Sequence, residues 1–434
     1  MDMHGEKAAP HGKARAGRRR AGVAVTVAIA AGLTLVACSS GGADSATGTS
    51  SPSAKTAACP TGTATTGASA GTAAGAPTGM PSGNAGGIAM AKTIKKSDTS
   101  TSTVIDPKGA QIRCATSGIT TTHDITYSSP TTDGKKSDLK LDIQVPTSTS
   151  GKKPLVIYLT GGGFVMADRT ANLNQRTYVA DQGYVVASIQ YRTTKDGATY
   201  KDAVADVKSA IRYLRANADK YSIDTDQVAV WGQSAGGYLA AMTGATNGEK
   251  SFDVGDNLTQ SSEVQGVVDE FGPADLSELA ADYDTAAQKA NYAAGNSAAQ
   301  WVYGPGTKKS IADRTSEVAA ADPATHITSE TAPFVIFHGS ADNLVSPSET
   351  LNLHTALRAK GIDSTRYVLT GAGHGDLSFT GDTKASLPWS TQETMGHIVS
   401  WGSTSSSPES VGVDGRRPET CHGSSRSVRS GPRV

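Results

Sequence analysis

Val228-Ala229-Val230-Trp231-Gly232-Gln233-Ser234-Ala235-Gly236-Gly237-Tyr238-Leu239-Ala240 is an apolar run that passes through Gly-x-Ser-x-Gly into a helical pattern of small residues. The run reads as a short buried strand, so the serine falls on a sharp turn between strand and helix. Such a turn projects the hydroxyl clear of the backbone, and glycines beside it let the two elements approach without a clashing Cβ. The pattern alone decides little, because Gly67-Ala68-Ser69-Ala70-Gly71 matches it too. That copy has no strand before it and no amphipathic helix after it. Context selects Ser234.

Outward from this turn, strands and helices alternate. Upstream, Pro154 to Leu159 is a continuous apolar run, as for a strand buried on both faces, and it ends in Thr160-Gly161-Gly162-Gly163-Phe164. A helix, a strand from Tyr184 to Tyr191 and a long amphipathic helix from Tyr200 to about Lys220 follow. In that helix Ala203, Val207, Ala210, Ile211 and Leu214 recur at helical spacing. Ile119 to Tyr127 and Leu139 to Val145 read as strands around the turn Thr132-Asp133-Gly134. Downstream come strands at Val264 to Val268, Phe334 to Phe337 and Arg366 to Leu369, with helices at Pro347 to Ala359 and Thr391 to Trp401. Residues 276–314 interrupt the alternation as an Ala-rich helical insertion, placed to cap the site. The order predicts an α/β fold, a mostly parallel sheet with helices on both faces, over residues 118–402.

A serine hydroxyl needs a positioned base to attack at neutral pH, and the base needs an orienting carboxylate. Asp342, in His338-Gly339-Ser340-Ala341-Asp342, follows one strand; His374, in Gly371-Ala372-Gly373-His374-Gly375-Asp376, follows the next. Ser234, Asp342 and His374 therefore form the expected triad, with Asp269 and Asp376 as alternative carboxylates. His123, His326, His338, His354 and His397 are worse placed. The backbone N–H groups of Gly162, Gly163 and Ala235 are the expected donors to an oxyanion. Phe164, Trp301, Tyr303 and Trp389 are candidates to line an acyl or alcohol pocket, with core packing the alternative for each. No HExxH, paired CxxC or phosphate-binding loop occurs, so neither metal nor nucleotide cofactor is expected.

The chain has 434 residues, and Lys+Arg and Asp+Glu each number 40. A net charge of zero offers no basic face for nucleic acid. Lys13, Arg15 and Arg18-Arg19-Arg20 precede an apolar segment from Ala21 to Val36, and Leu35-Val36-Ala37-Cys38 closes it. This resembles the lipobox of bacterial lipoproteins, which implies a signal peptide over 1–37 and a lipidated Cys38. The protein is then exported and anchored to the outer face of the bacterial cell membrane, as two acyl chains allow. Residues 38–117, rich in Thr, Ser, Gly and Ala, read as a flexible tether, and 403–434 as a disordered tail. Cys59 and Cys114 either pair as a disulfide or stay free, and Cys421 is left over.

From Lys153 to Trp401 the chain resembles α/β-hydrolase esterases of the hormone-sensitive-lipase-like and acetylxylan/feruloyl-esterase-like group. The residues that carry this are Tyr191-Arg192, Asp206-Val207-Lys208 through Arg215-Ala216-Asn217-Ala218, Ile223-Asp224, Trp231 to Gly237, Ser262, Val264 to Asp269, Phe271-Gly272-Pro273, and the Asp342 and His374 motifs. The resemblance implies a serine carboxylic-ester hydrolase that forms an acyl-enzyme on short-acyl esters of small-molecule or carbohydrate alcohols. Two other readings share some features: a serine peptidase of the prolyl-oligopeptidase kind, and a non-enzymatic surface-binding lipoprotein. Thr160 stands where the oxyanion motif usually has histidine, and Gln233 where an acidic residue or histidine is commoner. Both substitutions leave open what braces those positions.

Overall fold

The computed structural model describes residues 84–85, 88–107, 110–112, 118–147, 150–375 and 383–404. Its centre is a nine-stranded sheet. In chain order the strands are β1 (Thr103–Ile105), β2 (Ile119–Ser128), β3 (Leu139–Pro146), β4 (Lys153–Leu159), β5 (Val185–Ile189), β6 (Ile223–Gln233), β7 (Gly266–Glu270), β8 (Phe334–Gly339) and β9 (Ser364–Leu369). They lie side by side as β1-β9-β8-β7-β6-β4-β5-β3-β2. β3 pairs antiparallel with both β2 and β5, and every other neighbouring pair is parallel. This is the expected α/β-hydrolase architecture.

Both faces of the sheet are covered. Along β6, Val228 and Val230 point into one core while Trp231 points into the other. Helices α2 (Tyr200–Ala216), α3 (Ala235–Ala245) and α6 (Pro347–Ala359) fill the first face. Helices α1 (Leu173–Asp181) and α7 (Gln392–Thr404) fill the second. Local sequence sets the ends: Thr199 and Asp202 close a capping box that starts α2, with Asp202 accepting from the Thr199 N–H at 2.9 Å. The helix ends at Ala216, where the Asn217 side chain donates back to the Tyr213 carbonyl, and a separate helical turn, Ala218–Tyr221, carries the run past Lys220.

Two boundaries differ from expectation. The folded domain begins upstream of residue 118, inside the stretch read as a tether. β1 adds a ninth strand beside β9, with Ile105 opposite Leu369. Ahead of it, Ile88 packs on Leu344, Ala91 N–H donates to the Asn343 carbonyl, and Ile94 bridges Tyr283. Isolated apolar residues among many polar ones carry this docking, so composition averaged over 38–117 conceals them. Second, helix α7 runs to Thr404 rather than ending at Trp401. The signal segment 1–37, Ser69, Asp376 and Cys38, Cys59, Cys114 and Cys421 lie outside the described residues. Among the described residues no helix is long and apolar enough to cross a membrane.

Candidate active site

Parallel strands deliver their following loops to one edge of the sheet, and the site forms there. Ser234 links β6 to α3 at φ 54°, ψ −123°, an unfavourable conformation for a residue with a side chain. Neighbouring elements hold it. A Cβ on Gly232 would come within 2.0 Å of the Gly236 carbonyl oxygen, and one on Gly236 within 2.0 Å of the Leu159 oxygen. Only glycine permits this approach of strand, helix and the end of β4. Ser234 itself is buried, its N–H donating to the Glu270 carbonyl at 3.0 Å.

The residue after Glu270 brings the base into the same place. Phe271 packs edge-on against the His374 ring, their centroids 4.7 Å apart. His374 Nδ1 lies 2.8 Å from Asp342 Oδ2. The other carboxylate oxygen, Oδ1, accepts from the N–H groups of Leu344 at 2.9 Å and Val345 at 3.0 Å. Burial pushes the Asp342 carboxyl upward, but His374 and His338 beside it win and hold it well below the usual carboxylate range. Asp342 thus stays an anion that can orient an imidazole. The alternative Asp269 turns away, accepting from the Gly272 N–H at 2.9 Å, and burial raises its pKa to about 7.

The other histidines are engaged elsewhere. His123 meets Asp142, His326 meets Glu249, His354 lies between Ser364 and the Thr101 carbonyl, and His397 stacks on Tyr367. His338 is different. It is fully buried within β8 and its Nε2 stands 3.3 Å from Asp342 Oδ2, a contact that the sequence pattern did not signal.

The glycine loop after β4 folds back on itself. Val165 N–H donates to the Gly162 carbonyl, and Gly163 and Phe164 adopt φ of 58° and 67°. A Cβ on Gly161 would lie 3.1 Å from the Ser234 Cβ, so the loop passes directly beside the serine. Ala235 begins α3, where the first N–H groups have no intrahelical acceptor. Gly162 and Gly163 continue this loop from Gly161, and Ala235 follows Ser234 directly. With Thr160 in the usual histidine position, two other residues brace the loop: Tyr191 OH donates to the Thr160 carbonyl at 2.7 Å, and the Thr194 N–H and hydroxyl both donate to the Phe164 carbonyl at 3.0 Å. Tyr191 precedes Arg192, whose guanidinium grips buried Asp206 on α2 at 2.9 and 3.0 Å.

Gln233 answers its own question. Its Oε1 accepts from Tyr158 OH at 3.0 Å and Asn172 Nδ2 at 2.7 Å; its Nε2 donates to Gln175 Oε1 at 3.0 Å and Glu270 Oε2 at 2.6 Å. Trp231 Nε1 also donates to Glu270 Oε2, at 3.0 Å. Every polar atom of this side chain is satisfied beneath the turn that holds Ser234. Burial raises the Glu270 carboxyl to about 7, against the pull of the Gln233 and Trp231 donors.

The aromatic candidates divide. Phe164 stacks on Trp301 at 4.9 Å, and both meet Tyr238 edge-on; Phe164, Trp301 and Trp389 are fully buried. Trp389 lies under the His374 loop, against Phe271, and donates its Nε1–H to the Gly373 carbonyl. It braces the base rather than lining a pocket. Tyr303 is partly buried, with its hydroxyl 2.8 Å from Thr315 Oγ1. The insertion itself is two seven-residue helices, α4 (Thr285–Asn291) and α5 (Ser297–Tyr303), started by Asp284 and Asn296 caps and joined to short turns. Turn-forming residues break the Ala-rich stretch. Among the described residues no group of three or more His, Cys, Asp or Glu gathers in a metal-binding arrangement.

The BD-FAE family model matches residues 141–357. Esterase LipC of Mycobacterium tuberculosis is 29% identical over 225 residues, covering 51% of this chain and 53% of its own. A probable isoprenylcysteine alpha-carbonyl methylesterase of Arabidopsis thaliana, ICMEL1, is 24% identical over 240 residues, covering 55% and 48%. The chain thus spans about half the length of the curated relatives it matches. Among solved structures, a truncated carbohydrate esterase from gut microbiota shares the fold with a TM-score of 0.53 and 24% identity, over 66% of this chain and 96% of that one. The butyrate-bound esterase Est2 of Thermogutta terrifontis aligns with a TM-score of 0.51 at 25% identity, over 66% and 96%.

Proposed function

The chain belongs to the BD-FAE family, and on that premise we propose that it is a serine carboxylic-ester hydrolase selective for short acyl groups. One observation carries the reading: Asp342, held anionic, sits 2.8 Å from Nδ1 of His374, which packs on Phe271, the residue after the Glu270 carbonyl that accepts from the Ser234 N–H. In this reading His374 Nε2 takes the Ser234 proton as Oγ attacks the ester carbonyl. The Gly162, Gly163 and Ala235 N–H groups receive the oxyanion. The protonated His374 then gives its proton to the leaving alcohol, leaving an acyl-enzyme. Water, activated by the same histidine, releases the acid and restores Ser234.

The preference for short acyl chains rests on the insertion. A lipase lid needs a broad exposed apolar face. Among the described residues the exposed large hydrophobics are Val104, Val254, Leu258 and Leu387, none of them in residues 276–314. The butyrate found with the Thermogutta esterase is consistent with a small acyl site. Cys38 supplies the proposed membrane anchor, and mass spectrometry of the native protein showing an unmodified Cys38 refutes that part. The substrate part is tested with an ester series from acetyl to beyond about ten carbons and a matched peptide amide. Acetyl and butyryl esters turn over faster, each methylene discriminating by at most about 1–3 kcal/mol. Rates that climb with chain length, jump at micelle formation or favour the amide overturn it.

A further inference from the structure

Asp342 Oδ2 faces two imidazoles. His374 is the expected one; the second is His338, fully buried in β8. His338 Nε2 lies 3.1 Å from the Val345 carbonyl and 3.3 Å from Asp342 Oδ2, two acceptors, so Nε2 must carry a proton. Its Nδ1 lies 2.8 Å from Thr350 Oγ1. That hydroxyl already accepts from Arg366 Nε at 3.1 Å, so its own proton is free to point at Nδ1. Arg366 is fixed in turn by the Pro347 carbonyl and by Ser102 Oγ, each at 2.8 Å. Donor directions therefore run one way, from Arg366 through Thr350 and His338 to Asp342.

We propose that His338 is a positioning residue for the triad: locked by Arg366 and Thr350 as the neutral Nε2–H tautomer, it supplies the N–H that holds Asp342 Oδ2 in line with His374 Nδ1. The inference rests on the ester-hydrolase reading. A neutral imidazole fits the site, since burial lowers the His338 pKa against the pull of Asp342. The other titratable and charged groups that face this cluster are Tyr283, whose hydroxyl donates to the Asp342 carbonyl, with Arg366, Asp282 and Glu349 around them. A donor on the carboxylate tempers the charge that His374 feels. Removing it strengthens the negative field of the carboxylate and loosens its placement.

Asparagine and glutamine at 338 separate this role from packing. Asparagine reaches the Nδ1 position and keeps the Thr350 contact; glutamine reaches the Nε2 position and keeps the donor to Asp342. His338→Asn lowers kcat by about tenfold to a hundredfold with KM little changed, and moves the acid limb of kcat/KM to higher pH. His338→Gln recovers most of kcat and returns the limb. Asn and Gln variants that behave alike overturn the proposal. A second measurement needs no variant: in wild-type protein with 15N-labelled histidine, one imidazole stays neutral and Nε2–H throughout the pH range of activity. A His338 that carries its proton on Nδ1, or titrates together with activity, contradicts it. If the wild-type protein has no esterase turnover, the functional reading fails, and the tautomer measurement still decides the inference.

Discussion

Positions 236 and 270 support Ser234 by different means, one by having no side chain and one by burying an acid. A Cβ on Gly236 would meet backbone atoms of Leu159 and Thr160, neither able to yield as a flexible side chain could. Gly236→Ala therefore destabilises the protein by at least about 1–3 kcal/mol and lowers turnover, read by denaturant unfolding and by kcat. Glu270 acts through its proton. Its carboxyl rises from an ordinary 4.5 to about 7 in the fold, so its contribution to stability is full below about pH 4.5 and is lost as pH rises through about 7. Glutamine keeps an oxygen for Trp231 and Gln233 and has no proton to lose. Relative to wild type, Glu270→Gln gains stability between pH 5 and 8, by up to about 3 kcal/mol, in thermal unfolding followed across that range. A difference that stays flat with pH contradicts the buried neutral acid. The turn at Ser234 and the meeting of Asp342 with His374 were legible because a strand, a turn and a glycine-rich loop mark these positions locally. His338 and Glu270 were not, because their partners come from other strands and no local spacing announces such contacts.

At the scale of elements, the helices and parallel strands were legible because apolar runs and helical spacing are written along the chain. β1 was not, since Thr103–Ile105 is three residues long and becomes a strand only beside β9. The segment ahead of it ties a helix and a loop together. Asn291 in α4 exchanges two hydrogen bonds with the Ala89 backbone, at 2.8 and 2.9 Å, while Ile88 covers Leu344 in the loop that carries Asp342. Asn291→Leu keeps a similar bulk and leaves the Ala89 N–H and carbonyl without these partners. It lowers stability by about 1–3 kcal/mol and reduces kcat, as the insertion and the acid loop lose a common tie. Unchanged unfolding and kinetics would show that the clamp is incidental.

At the scale of the whole molecule, residues 88–105 fold with the sheet although they lie ahead of its expected start. Removal of residues 1–101 lowers the melting temperature and turnover, because Ile88, Ala89 and Ala91 go with it. Burying one isoleucine alone is worth about 1.5–3 kcal/mol. Fold and active edge were readable from a single chain because strand order and loop position follow from alternation. The docking of residues 88–105 was not, since sparse apolar residues bury against surfaces the sequence does not display. The central claim, that Ser234 is the nucleophile, meets its most direct measurement in intact-protein mass spectrometry after reaction with a fluorophosphonate, followed by peptide mapping. The account predicts one adduct, on Ser234, that is absent in folded Ser234→Ala. No adduct on the wild-type protein, or an adduct on Ser69 or any other residue that survives the substitution, would contradict it.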